Sequence, residues 1–430
     1  MEASRLERAL RLFTLVRPGE GPTAVLMFAN VFLILCAYYF IKPLREGWIA
    51  ISDIGELSKM EVKAYSSFAQ TLLLIPVATW YGRLSERQQR SALINRTTLF
   101  CMSNMAVFWV LQPGLFLESL PVSGVFFYLW VGMFGVFIVA QFWAFAADIY
   151  TQERGERMLP VVAIGATAGA ASGSWITEWM VGSGWVSTEW LLIVAMVPLC
   201  GSMFLTRLVA RRESLPEGDA LPPPTKAEEP AGRSALAVVF SSRFLVATAL
   251  ITLLLNWVNT NGENLLFDFL QRSLAGEAVS KGIEGEAELI AFTRDGTTVF
   301  YSGFFLWVNL IALLLQAFVA ARLLRYAGFG AALMLLPVVA LVSYSAMAVV
   351  PILALVRAMK IAENSTDYSI NNTARHVLWL PLDADTKYKG KTTIDSLFAR
   401  LGDGLAAVTV LVCVQLLVLP IESFIVINSR

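Results

Sequence analysis

"MLLPVVALVSYSAMAVVPILALVRAMKIAENSTDYSINNTARH", residues 334 to 376, begins as a membrane segment and ends as a charged helix. Through Met359 it is apolar apart from Pro337, the Ser343-Tyr344-Ser345 patch, Pro351 and Arg357. Arg357, Lys360, Asn364, Asp367 and Asn371 then follow at steps of three or four, which sets them on one face of a continuing helix. An ionisable side chain at the bilayer centre costs ~2.5–3.5 kcal/mol on insertion scales, so such a face turns toward a cavity or a partner. The stretch calls for an all-α membrane bundle with a polar interior.

Composition agrees. Hydrophobic residues make up 57% of the chain and charged residues 15%, against about 25% charged in soluble domains. Apolar runs long enough to cross a bilayer as helices occur at 23–42, 63–81, 94–112, 124–147, 160–181, 189–206, 244–266, 298–321, 328–347, 349–371 and 393–419. That makes eleven, and a twelfth is not evident. The 33 basic and 33 acidic residues cancel, so no global field recruits nucleic acid. Cys36, Cys101, Cys200 and Cys413 each sit inside an apolar run and read as small hydrophobes. With one histidine and no clustered cysteines, neither a metal site nor an enzyme is expected, and no cofactor is implied.

Charge placement sets the expected orientation. With the N-terminus inside, the cytoplasmic segments hold 22 of the 33 basic residues and the outer segments seven: Lys42, Arg45, Lys59, Lys63, Arg272, Lys281 and Arg294. The expectation is a multi-pass protein of the cell inner (plasma) membrane with a cytoplasmic N-terminus. Residues 1–22 carry Arg5, Arg8 and Arg11 among leucines and suit an interfacial segment. "RRESLPEGDALPPPTKAEEPAGRS", 211–234, reads as a flexible connector. The expected organisation is an interfacial segment (1–22), a six-helix lobe (23–206), a linker (207–243) and a second lobe (244–430), the layout of a two-lobed transporter built from repeats. Lys42 lies 19 residues after Thr23 and Glu263 lies 19 after Phe244, so each half carries an ionisable group at one depth.

"YGRLSERQQR", 81–90, is similar to the Gly-x-Leu-x-Asp/Glu-Arg-x-x-Arg signature that the major facilitator superfamily carries between its second and third helices. That resemblance implies a two-lobed bundle of 11–12 transmembrane helices with pseudo-twofold repeats. Gly82 would let two helices approach, and Glu86, Arg87 and Arg90 would form a gating charge network. Three more charged groups stand inside the apolar runs. "YYFIKPLREGW", 38–48, holds Lys42, Arg45 and Glu46 around Pro43. "NWVNTNGENLLFDFL", 256–270, holds Glu263, Asn264 and Asp268. Span eleven holds Asp395, Arg400 and Asp403. Lys42, Arg45, Arg357 and Lys360 suit an anion such as phosphate or carboxylate. Glu263, Asp367 and Asp403, with Glu46, Asp268 and Arg400, suit counter-charge or proton coupling, and Asn264, Asn364 and Asn371 would complete the binding surface. The expectation is that these groups share one aqueous cleft; the alternative is that they pair with each other and merely hold the bundle. "GATAGAASG", 165–173, spaces Gly165, Gly169 and Gly173 by four, which lets helices touch backbone to backbone.

The segment 359–404 resembles the nucleotide (ATP/ADP) translocase family of plastids and intracellular bacteria. The matching positions are Tyr368, Ser369, Arg375, Pro381 to Asp383, Lys387 to Lys391, Ile394, Asp395 and Arg400 to Gly402. The resemblance implies twelve helices, exchange or proton-coupled uptake of nucleotides by alternating access, and substrate-pathway roles for Lys42 and Glu263. Gln141 stands where the family's exchangers have an acidic residue, and Asp367 stands where a basic one is expected before Tyr368. "KGKTT", 389–393, lacks the first glycine of a phosphate loop and reads as a basic loop. The expected partners are a small anionic substrate, a nucleotide first, and the lipid bilayer, with the protein a monomer. A proton-coupled carrier of another solute, or a membrane sensor or scaffold, are the alternatives.

Overall fold

Long apolar runs have no water to satisfy backbone groups inside a bilayer, so they close their hydrogen bonds within helices. The computed structural model of the chain follows this rule. It describes residues 17, 19–85, 90–112, 122–213, 235–379, 390–391 and 393–417, among which there is no strand. In chain order the helices are α1 (Gly21–Ala50), α2 (Lys59–Ser85), α3 (Arg90–Leu111), α4 (Ser123–Ile149), α5 (Gln152–Gly182) and α6 (Leu191–Arg212). Then come α7 (Ala235–Phe240), α8 (Arg243–Ser280), α9 (Glu286–Leu314), α10 (Ala321–Tyr326), α11 (Gly328–Val349), α12 (Leu353–Thr366), α13 (Asn372–Leu378) and α14 (Ala399–Leu411). Among the described residues each of the eleven expected spans overlaps helix, although 349–371 includes the break between Val349 and Leu353. Among the described residues, eight helical stretches are long and apolar enough to cross a membrane. Phe100, Phe126, Val197 and Phe204 are each more than 60% exposed. Large apolar side chains facing outward at this density suit lipid.

Several helices outrun the expected spans. Helix α1 continues to Ala50 through Pro43, so Lys42, Arg45 and Glu46 lie within its last turns and not at its end. Helix α8 runs to Ser280 and α9 starts at Glu286. The expected limits, 266 and 298, leave out charged residues that the helices carry in pairs. Arg272 pairs with Asp268 one turn earlier at 2.6 Å, and Arg294 is 3% exposed with its guanidinium on Glu189 and Asp295.

The chain forms two compact units. Unit 1 comprises Met1–Ser52, Leu74–Pro223 and Gly285–Leu310; unit 2 comprises Asp53–Leu73, Pro224–Glu284 and Ile311–Arg430. Each takes in a segment of the other sequence half: the first part of α9 belongs to unit 1 and the first part of α2 to unit 2.

In unit 1, α1 lies directly on α5. A Cβ added to Gly165, Gly169 or Gly173 would sit 2.7, 2.3 or 2.6 Å from the carbonyl oxygens of Phe28, Phe32 and Cys36, one contact per turn. Asn30 fastens α1 to α6, donating to Thr206 Oγ1 at 2.9 Å and accepting from Ser202 at 2.6 Å. In unit 2, Gly402 brings α14 against α8, where a Cβ would lie 2.5 Å from the Leu253 oxygen. Helix α2 opens with a capping box: the Ser58 backbone N–H donates to Glu61 Oε2 and the Glu61 N–H donates back to Ser58 Oγ. Among the described residues, four π-helical turns, Leu315–Ala320, Asp367–Asn371, Ile394–Phe398 and Val412–Leu416, all lie in unit 2.

Candidate functional site

In unit 1 the charged turn of α1 is surrounded by aromatic rings. Lys42 Nζ stands 4.0 Å from the ring centre of Phe305 on α9, 5.1 Å from Tyr39 and 5.9 Å from Tyr38. The Tyr39 hydroxyl reaches Asn309 Oδ1 at 3.4 Å. Three residues later, the Arg45 guanidinium lies 4.3 Å from the Tyr128 ring of α4 and donates from Nε and Nη2 to Glu46 Oε1 at 3.0 and 2.5 Å. Cations over aromatic faces keep their charge while shedding water, and estimates for desolvated pairs reach ~2 kcal/mol. The turn therefore presents an ammonium, a planar guanidinium and flat π surfaces together, with one carboxylate opposing.

Unit 2 holds a second polar cluster. Lys360 is fully buried, and its ammonium donates to Glu363 Oε2 at 2.9 Å, Asn259 Oδ1 at 2.9 Å and the Asn259 oxygen at 3.3 Å. Gly262 makes room: a Cβ there would lie 2.0 Å from the Tyr344 hydroxyl and 2.9 Å from Lys360 Nζ. The Tyr344 hydroxyl donates to the Val258 oxygen at 2.9 Å. Glu263 Oε1 accepts from Asn364 Nδ2 at 2.7 Å, and Asp367 Oδ1 accepts from Asn371 Nδ2 at 2.7 Å. Both donors are neutral amides. Lys63, 4% exposed, donates to the Glu263 oxygen at 3.4 Å and lies 4.6 Å from the Phe267 ring. Asp403 accepts from Thr260 at 2.7 Å and from Arg400 at 3.2 Å. Asn264 Nδ2 and Asn364 Oδ1 are buried with no hydrogen-bond partner among the described residues.

The expected residues thus fall into both units. Lys42, Arg45 and Glu46 gather in unit 1; Glu263, Asn264, Lys360, Asn364, Asp367 and Asn371 gather in unit 2. Lys360 differs from the expectation of a cation facing solute, because Glu363 and Asn259 enclose it. Arg357 is half-buried on the same helix. Nor is the polar face one uninterrupted α-helical stripe: the π turn at Asp367–Asn371 widens the helix just where the stripe ends. Asp268 is engaged locally by Arg272. Of the gating group, Gly82 lies in α2 and Arg90 opens α3, while Glu86, Arg87 and the side chain of Arg90 lie outside the described residues. Sequence reasoning gave no site role to Glu363, Asn259, Tyr344 or Lys63, which join the unit-2 cluster. Glu363 had a signal, its three-residue spacing from Lys360 on one helix. Lys63 reads in sequence as a charge of an outer segment.

Residues 342–427 match the family described as TLC ATP/ADP transporter. No curated protein matches the chain by sequence. Among solved structures, the chain is similar to a POT family transporter in complex with 5-aminolevulinic acid, at 11% identity and TM-score 0.63 over 94% of this chain and 93% of that one. It is also similar to an auto-inhibited POT family peptide transporter (13%, TM-score 0.61, 95% and 94%) and to a single-residue mutant of the nucleoside transporter NupG (11%, TM-score 0.57, 95% and 96%). The fold is that of the major facilitator transporters. These likenesses concern the fold; the family match alone speaks to substrate. Within this major facilitator fold, the matched stretch contains Tyr344, Lys360, Glu363, Asp367, Arg375, Asp395 and Arg400, so most of the unit-2 cluster lies in it. The resemblance to nucleotide translocases read from residues 359–404 is borne out by this match.

Proposed function

We propose that the protein is a secondary active transporter of an anionic metabolite, a nucleotide first, working by alternating access as an exchanger. The match of residues 342–427 to the ATP/ADP transporter family carries this reading. The chemistry of α1 supports it: Lys42 and Arg45 supply a point charge and a planar fork for phosphate, and Tyr38, Tyr39 and Phe305 supply faces for a planar ring. In this reading Lys42 and Arg45 of unit 1 meet the anion, and Arg357 is a further basic candidate within unit 2. Lys360 sets the position of Glu363, and Glu263, Asp367 and Asp403 balance charge. The sequence lobes 23–206 and 244–430 are the moving bodies, the linker 207–243 joins them, and the N-terminus faces the cytoplasm of a cell inner membrane. A monomer suffices for this scheme.

A proton-coupled carrier is the second reading, favoured by the amide-held carboxylates Glu263 and Asp367. Uptake of labelled ATP and ADP into proteoliposomes separates the two. Exchange requires nucleotide inside the vesicle; proton coupling responds to an imposed pH gradient without it. A sensor or scaffold takes up nothing, and that result would end the transporter proposal.

A further inference from the structure

A cavity of about 310 Å³ opens within unit 2, away from the Lys360–Glu363 pair. That volume is at the small end of ligand pockets and suits a compact polar group. Its charged lining comes from Arg375 and His376 on α13, Lys391, Arg400 on α14, and the single carboxylate Asp395. Trp379, 2% exposed, supplies a flat wall fixed in an apolar cluster with Val239, Leu245 and Ile394. Asn256 on α8 and Asn372 on α13 add amides.

The charges do not cancel. Arg375 donates to Asp395, and Arg400 shares Asp403 with Thr260. Among the described residues Lys391 enters no ion pair. Counting Arg375, Lys391 and Arg400 against Asp395 and the Asp403 that Arg400 meets leaves net +1 among the described residues, with His376 neutral. Two planar guanidinium forks and a lysine point charge around a small polar cavity match the tetrahedral oxygens of a phosphate group. The basic run read in sequence as a plain loop thus contributes a wall, through Lys391, to a built pocket.

We propose that this cavity binds the phosphate group of a phosphate ester, as an anion site separate from the Lys42–Arg45 turn. The same chemistry is offered by a soluble phosphate compound and by an anionic lipid headgroup, and the test separates them. The proposal does not depend on nucleotide transport, because a headgroup would occupy the pocket in either case.

The full chain carrying Lys42→Ala is reconstituted in neutral phosphatidylcholine nanodiscs and titrated calorimetrically with inorganic pyrophosphate. The Lys42→Ala background weakens the α1 site ten- to a hundredfold, so its failure and the failure of this one are read separately. The pocket predicts one remaining binding event. Adding Lys391→Glu should weaken it tenfold or more, and Lys391→Arg should keep it within about threefold, which separates charge from misfolding. In discs containing phosphatidylglycerol, a headgroup occupant would lower the apparent pyrophosphate affinity. Native mass spectrometry would then find that lipid retained by the Lys391-intact protein and lost with Lys391→Glu. A soluble occupant leaves the affinity equal in both discs. If Lys391→Glu binds pyrophosphate as tightly as its parent, or if the parent retains neither pyrophosphate nor lipid, the proposal falls.

Discussion

Lys360 carries an ammonium with no solvent exposure, and Glu363 answers it at 2.9 Å. Removing one member of a buried pair leaves an uncompensated charge, whereas replacing both by apolar groups of similar volume is often neutral. Glu363→Gln should therefore lower stability by about 3–5 kcal/mol, while Lys360→Met with Glu363→Leu should recover most of it. Thermal unfolding of the detergent-purified variants checks both; a Glu363→Gln protein as stable as wild type would mean the pair carries no structural load. Lys42 is a different kind of lysine, set among the rings of Phe305, Tyr39 and Tyr38. Lys42→Ala should weaken nucleotide affinity by ten- to a hundredfold, the range of one charge-assisted contact of about 1.5–3 kcal/mol. Fluorescent nucleotide titration measures it, and an unchanged dissociation constant would remove Lys42 from the binding surface. Sequence periodicity placed both lysines at membrane depth. It had no means of telling which of them would meet rings and which a carboxylate.

Helices α1 and α5 meet through glycine, and the tightest contact is at Gly169, where a Cβ would come within 2.3 Å of the Phe32 oxygen. Backbone cannot swing away as a side chain can, so Gly169→Ala must separate the helices, at a cost of about 1–3 kcal/mol. Gly155 on the same helix has its nearest neighbour at 3.5 Å, a leucine methyl. There alanine should be neutral or stabilising by up to about 1 kcal/mol through helix propensity. Equal melting shifts for the two variants would refute the close-packing account. The start of α5 is tied to α1 and α6 by arginine forks, Arg157 to both oxygens of Glu20 at 2.9 Å and Arg154 to Glu213 at 2.8 and 3.2 Å. Partial burial pushes the Glu20 carboxyl up, but the bonds from Arg157 and the Arg17 backbone outweigh it and hold the group below its usual 4.5. The Arg154 hydrogen bond does the same for Glu213 against partial burial. A depressed folded value means the unfolded chain takes up protons first, so the stabilisation is present above pH 4.5 and fades as pH falls through the folded values. Melting temperature should drop on acidification below about pH 4.5, with a shallower drop in Glu213→Gln. The glycine spacing was readable in sequence; the forks were not, since their members come from separate elements far apart in the chain.

At the scale of the molecule, the first part of α9 lies in unit 1 although it belongs to the second half of the chain. Its anchor is a set of polar contacts: Arg294 to Glu189 at 3.0 Å and Thr188 Oγ1 to Asp295 at 2.5 Å. If alternating access requires this part of α9 to leave the Thr188–Trp190 turn, tying them should stop transport. Thr188→Cys with Asp295→Cys, joined by a short thiol cross-linker, should abolish nucleotide uptake in proteoliposomes, and a cleavable linker should restore it on reduction. Uptake that continues in the cross-linked protein would show that these segments stay together through the cycle. The sequence halves themselves show matched placement: Lys42 lies 21 residues into α1 and Glu263 lies 20 residues into α8.

By itself the sequence determined the class of the molecule, the positions of its spanning helices and the segment that carries its family likeness. A helix crossing hydrocarbon satisfies its own backbone, so a run of about 20 apolar residues is read without knowing its neighbours. The expected limits at 42, 266 and 298 fell short of the helix ends, because charged residues continue these helices beyond the apolar runs. Only the tertiary structure decided which charges neutralise one another. Lys360 is held by Asn259, 101 positions away, and the basic cavity is assembled from α8, α13 and α14. The fate of a buried charge depends on what lies within a few ångströms, and that distance is set by helix packing rather than by order along the chain.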